Sequence, residues 1–157
     1  MTRIGLISDT HGLLRPEAVA FLRSSELIIH GGDIGGASIL QELAAIAPVT
    51  AVCGNNDRDR WADALPDHAV LEVGERLISV VHHLAQLAID TVALGVHVVV
   101  SGHSHKPSVH ERRGVLYVNP GSAGPRRFKL PVSVAELIVV GTSVEARVVA
   151  LEVATQA

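Results

Sequence analysis

A chain of 157 residues with 48% apolar and 18% charged side chains is long enough to bury a core and too apolar for a disordered segment. A formal charge of −3 supplies no basic field for a polyanion, and an aromatic share of 3% leaves no platform for base stacking, so nucleic acid is not the expected partner. Cys53 stands alone, which rules out an intramolecular disulfide and fits a reducing compartment. With no signal-peptide pattern after Met1 and no apolar run of bilayer length, the expectation is a cytoplasmic protein, off the membrane, folded as a single domain over residues 1–157.

The apolar run Ile4 to Ile7 predicts a first strand, and Pro16 to Arg23 a helix with proline in its first turn. Leu27 to His30 reads as a strand. Ser38 to Ile46 reads as a helix, with Ser38 as its N-cap, Gln41 three residues on and Pro48 closing it. Val49 to Val52 is a third strand, and this β-α-β-α-β order predicts a parallel sheet with right-handed crossovers. Ala69 to Val73 and Arg76 to His82 flank Gly74-Glu75 as a hairpin. Leu84 to Leu94 has helical composition, stopped by Gly95, and Val96 to Val100 is another buried strand. Val109 to Val118 carries a turn at Arg113-Gly114, and Ser133 to Val140 with Val144 to Val153 forms a terminal hairpin. The fold class is α/β, with two sheets face to face and helices outside.

Five short motifs follow these apolar runs: Asp9-Thr10-His11, Gly32-Asp33, Gly54-Asn55-Asn56-Asp57, His82-His83 and Gly102-His103-Ser104-His105. Ligands gather beyond the carboxyl ends of strands in open α/β sheets, so one rim carrying Asp, Asn and His describes a two-metal hydrolase site. Oxygen donors mixed with imidazoles point to manganese, iron, zinc, cobalt or nickel. Asp33 is the natural bridging carboxylate, because Gly31-Gly32 and Gly35-Gly36 permit close backbone approach. His103 and His105 alternate, which puts them on one face of an extended segment. Taken singly, Asp9 reads as a cap and Gly54 to Asp57 as turn chemistry. Their joint occurrence in this order favours a metal site. His30 reads as a hydrogen-bonded core residue, and His68, His97 and His110 lie away from the motifs.

Together, Asp9-x-His11, Gly32-Asp33, Gly54-Asn55, His82 and Gly102-His103-x-His105 resemble the calcineurin-like metallophosphoesterase superfamily. Asn119-Pro120-Gly121-Ser122 with Pro125-Arg126 resembles its small YfcE-type phosphodiesterases. The resemblance implies a four-layer α/β/β/α sandwich of two packed mixed sheets. It implies Asp9, His11, Asp33 and His105 on one divalent metal and Asp33, Asn55, His82 and His103 on the other, with manganese in first place. The implied activity is phosphodiester hydrolysis of a small phosphorylated substrate by a hydroxide bridging the metals, with Asp33, Asn55 and His103 closest to the chemistry. The alternative is a non-catalytic metal-binding scaffold or protein-interaction module of the same fold, against which the full set of ligands weighs; a homo-oligomer is compatible with either. Two departures stand out. Asn56 occupies a position where many members carry a proton-donating histidine, and an amide is no general acid. His83-Leu84 follows His82 where the family has glycine. Arg126 is the candidate for a structural or substrate-side role, and Arg127 reads as a solvated charge.

Overall fold

The computed structural model describes residues 1–87, 91, 93–127 and 129–153. Strands β1 (Thr2–Ile7), β2 (Leu27–His30) and β3 (Val49–Ala51) alternate with helices α1 (Pro16–Leu22) and α2 (Ala37–Ala44). After them come β4 (His68–Val73), β5 (Arg76–Val81), β6 (Val98–Val100), β7 (Ser108–Arg112), β8 (Val115–Asn119), β9 (Ser133–Val140) and β10 (Ser143–Ala150). They form two five-stranded sheets, ordered β10-β9-β1-β2-β3 and β4-β5-β6-β8-β7. Each has a parallel trio at its heart: β1, β2 and β3 in the first, β5, β6 and β8 in the second. Antiparallel strands complete both sheets, so both are mixed.

Alternation along β1 explains the layering. Ile4 and Leu6 enter the core between the sheets, where they meet Ile78, Val80, Val98, Val100 and Leu137, while Ile7 faces a second core under the helices. Helix α1 buries Ala18 and Leu22, and α2 buries Ile39 and Leu43, each a pair four residues apart on one face. Aliphatic side chains fill both cores, as the scarcity of aromatic residues requires. Away from the metal motifs, Glu136 of β9 accepts from Arg3 Nε at 2.5 Å and, across the strand pair, from Arg147 at 2.9–3.0 Å.

Two expectations need correction. Helix α2 starts at Ala37 with Gly36 at its N-cap in extended backbone, so Ser38 lies inside the first turn instead of capping it. The segment read as a helix from Leu84 to Leu94 holds a single 3-10 turn at Leu84–Gln86; residues 88–90 and 92 lie outside the described residues. His83 and Gln86 cap that turn reciprocally, and Leu87 leaves it in extended conformation to pack with Val96, Val99 and Val115. Burial of Leu87 on the outer face of the second sheet thus overrides helical composition. Among the described residues this turn is the helical element on that side, and no helix is long and apolar enough to cross a membrane.

Candidate metal centre

The site forms where the parallel trios end. Beyond β1 and β2 the chain keeps pairing: Asp9 N–H donates to Gly32 O at 3.0 Å, His11 N–H to Asp33 O at 2.9 Å and Gly12 N–H to Ile34 O at 2.8 Å. This zipper turns the backbone sharply. Among the described residues, six that are not glycine have positive φ: Asp9 (55°), His11 (46°), Asp33 (55°), His103 (72°), His105 (61°) and Arg113 (51°). Arg113 and Gly114 (φ 77°) are the two central residues of the β7–β8 hairpin, where a type I′ turn requires positive φ at both. The other five are all candidate ligands. A left-handed residue with a side chain costs about 1–2 kcal/mol, and such strain concentrates where function needs it.

The side chains converge. Asp9 is fully buried, and its Oδ2 accepts from the Ser8 hydroxyl at 2.7 Å and from His103 N–H at 3.1 Å. Its Oδ1 has no hydrogen-bond partner and faces His105 Nε2 at 3.5 Å, His11 Nε2 at 3.9 Å and His82 Nε2 at 4.0 Å. Asp33 Oδ2 lies 3.3 Å from His82 Nε2 and 3.7 Å from His11 Nε2. Asn55 Oδ1 lies 3.0 Å from His82 Nε2 and 3.3 Å from His103 Nδ1. All seven ligand candidates therefore share one connected cluster. Two donor groups stand out within it, Asp9-His11-His105 and Asp9-Asp33-His82, each with its donor atoms within 4.8 Å of one another. Asp9 is common to both groups, while Asp33 Oδ2 reaches one imidazole of each.

The cluster fits divalent cations. A buried carboxylate oxygen without a donor is costly unless a cation neutralises it. Donors bound at about 2.1 Å to one ion lie roughly 3–3.5 Å apart, close to the Asp9–His105 and Asp33–His82 separations of 3.5 and 3.3 Å. Gly54 and Gly102 let the loops close to this range: a Cβ on Gly54 would strike the Asp33 backbone nitrogen, and one on Gly102 the Ser8 hydroxyl.

Electrostatics divides the groups. Burial lifts the Asp9 carboxyl to about 6, outweighing the Ser8 hydroxyl and the His82 charge. Burial works the same way on Asp33, but the hydrogen bonds from His82 and Asn56 and the charges of His82 and His11 prevail, holding it well below the usual carboxylate range. Burial tends to lower His82, yet bonds to Asp33 and the Gly31 carbonyl raise it on balance. Its Nδ1 donates to Gly31 O at 2.7 Å, which turns Nε2 toward Asp33 and Asn55. Burial, with the Arg127 and His11 charges, takes His105 down to about 4, and burial with His83 and His82 lowers His103. Those two imidazoles are neutral at pH 7, the state a metal requires.

Several supporting residues were not legible as such. Asp57, read as part of a turn, is buried and accepts from the backbone N–H groups of Ile34 (3.0 Å), Gly35 (3.1 Å) and Gly54 (3.0 Å), tying the loop after β3 to the loop after β2. Asn119 donates to Gly102 O at 3.0 Å and Ser104 Oγ at 3.1 Å, and Ser122 donates to Asp9 O at 3.0 Å, so the Asn119–Ser122 motif braces the ligand loops. His30 is a core residue: its Nδ1 accepts from Gly32 N–H at 3.1 Å, and burial lowers it to about 3. His83 stacks on the His103 ring with centroids 4.1 Å apart. His68 bonds Ser79, His97 accepts from Leu77 N–H and His110 stacks on Tyr117, all outside the cluster. Both Arg126 and Arg127 are exposed, and Arg127 is the one whose charge bears on His105.

Residues 2–141 match the family model described as the calcineurin-like phosphoesterase superfamily domain. The chain belongs to this superfamily. It is 36% identical over 159 residues to a probable metallophosphoesterase of Methanothermobacter thermautotrophicus, covering 93% of this chain and 91% of that protein. It is 28% identical over 137 residues to a phosphodiesterase of Methanocaldococcus jannaschii, covering 76% and 82%. Vacuolar protein sorting 29 of Cryptosporidium parvum shares the fold, with a TM-score of 0.83 at 23% identity over 96% of this chain and 92% of that one. The matched residues include every ligand candidate and all strands but β10, and the protein is a metal-dependent phosphoesterase.

Proposed function

We propose that this phosphoesterase hydrolyses phosphodiesters of small molecules with two divalent ions, manganese foremost. In this reading Asp9, His11, Asp33 and His105 hold one ion, and Asp33, Asn55, His82 and His103 hold the other. Bound ions would supply Lewis acidity toward phosphate oxygens and bring the pKa of water toward neutrality. The chain does the positioning. Ser8 and His103 N–H occupy Asp9 Oδ2 and leave Oδ1 for ligation; Gly31 O fixes the His82 tautomer; Asp57 locks the loops that present Asp33 and Asn55.

The observation that carries the reading is the coincidence of strain and ligand type: five of the ligand candidates, all Asp or His, have positive φ, and one of them, Asp9, turns a buried carboxylate oxygen without a hydrogen-bond partner toward His11, His82 and His105. The preference for diesters rests on the phosphodiesterase relative, while Asn56, whose amide supplies no proton, favours substrates with good leaving groups. We propose the cytoplasm as its compartment, on the free thiol of Cys53. The test is hydrolysis of bis-p-nitrophenyl against mono-p-nitrophenyl phosphate by metal-free protein reloaded with one metal at a time. Faster turnover of the diester, restored best by Mn²⁺, is expected. Preference for the monoester would overturn the diester assignment.

A further inference from the structure

One residue holds both oxygens of the Asp33 carboxylate. Asn56 donates its backbone N–H to Oδ1 at 2.9 Å and its side-chain amide to Oδ2 at 3.1 Å. A carboxylate only accepts, so the amide presents its NH₂ group. Contacts on both oxygens stop rotation about the Cβ–Cγ bond, which one contact would leave free. Oδ2 is also the oxygen that faces His82 at 3.3 Å and His11 at 3.7 Å.

The platform under Asn56 is rigid. The Asp57 carboxylate grips the N–H groups of Gly54, Ile34 and Gly35, and Asp57 N–H returns to Gly54 O at 3.1 Å. Asn56 cannot drift from Asp33 without breaking this set. Nor does its own backbone need asparagine, because Asn56 is not among the positive-φ residues. Turn chemistry therefore leaves its amide unexplained, whereas the contact with Asp33 explains it.

We infer that Asn56 is a positioning residue for Asp33, whose amide aims Oδ2 between His11 and His82 and so sets the affinity of the site for divalent ions. This rests on the two-ion reading. Each oxygen of the Asp33 carboxylate gives one lone pair to Asn56 and keeps the other, which leaves one for each ion. Partners that hold ligating groups typically contribute 10–100-fold to metal affinity. The same contact turns the amide inward, toward a carboxylate instead of a leaving group.

The test is calorimetric titration of Mn²⁺ into metal-free wild type, Asn56→Ala, Asn56→Leu and Asn56→His, with thermal melts of each metal-free protein. Leucine keeps the shape of asparagine without its donor, and serves if the alanine variant does not fold. Histidine carries Nδ1 on Cγ, where asparagine carries its amide nitrogen. Alanine and leucine are expected to weaken Mn²⁺ binding about 10-fold or more with Tm within about 2 °C of wild type, and histidine to recover most of the loss. Unchanged Mn²⁺ affinity in both donor-free variants would overturn the inference. So would a loss that merely follows a falling Tm, the mark of a turn residue. Wild-type protein that takes up no Mn²⁺ would overturn the two-ion reading and this inference together, whereas normal wild-type uptake with unaffected variants overturns this inference alone.

Discussion

Backbone strain at His103 can be measured without metal. His103 has φ of 72° and an exposed side chain, so its replacement opens no cavity. Two variants, His103→Gly and His103→Ala, both lose the imidazole with its Asn55 contact and its stacking on His83, and both keep the backbone N–H that bonds Asp9. They differ in what the left-handed backbone costs. Alanine bears about 1–2 kcal/mol there, and glycine bears none. Glycine has the freer unfolded chain, which returns about 0.4–1 kcal/mol to alanine. The net is about 0.8 kcal/mol in favour of glycine, at the middle of a span of roughly 0–1.6. At this chain length that corresponds to a Tm about 1–4 °C higher for His103→Gly. Calorimetry on the two metal-free variants reads it directly. A glycine variant melting at or below the alanine variant would show that position 103 is not held in the left-handed region, and the strain argument would fail.

Asp33→Ala should lower bound metal and turnover by more than the roughly 10–100-fold usual for outer partners, with a circular dichroism spectrum like that of wild type; near-normal turnover would refute its role as a shared ligand. Asp57→Ala leaves the N–H groups of Ile34, Gly35 and Gly54 without their acceptor, so unfolding by denaturant should show a loss of about 3 kcal/mol or more, and a loss below about 1 kcal/mol would mean water replaces the carboxylate freely. Glu136 titrates below its ordinary 4.5: burial would raise it, but the bonds and charges of Arg3 and Arg147 win. Its contribution is therefore complete above pH 4.5 and is lost as pH falls through the lower folded value. The stability gap between wild type and Glu136→Gln should be constant from neutrality to about pH 5 and close below 4.5; a gap that widens in acid would contradict the sign.

The fold was legible where apolar runs are short and cleanly bounded. Ile4 to Ile7 and Leu27 to His30 fall on β1 and β2 because a strand buried on both faces has no alternative use for such runs, and Val49 to Val52 falls on β3, the half-buried edge of the same parallel trio. The ligands were legible because each follows such a strand. Leu84 to Leu94 misled, since its composition says nothing about Leu87 burying itself against Val96 and Val99. The supports of the site were hidden for a related reason. Asp57 acts on Ile34, 23 residues away, and Ser122 on Asp9, 113 away, so only the tertiary structure reveals their partners. Asn56 was read for the acid it lacks, while its amide bonds a carboxylate that spacing alone could not bring near it.

The central claim is that these side chains hold two ions on one rim, and anomalous diffraction from crystals of the Mn²⁺-loaded protein, collected at the manganese edge, tests it most directly. Two peaks are predicted, one against Asp9, His11 and His105, the other against Asn55, His82 and His103, with Asp33 touching both. A single peak would contradict the binuclear assignment, and no peak in fully loaded, well-ordered crystals would favour a scaffold of the same fold over an enzyme.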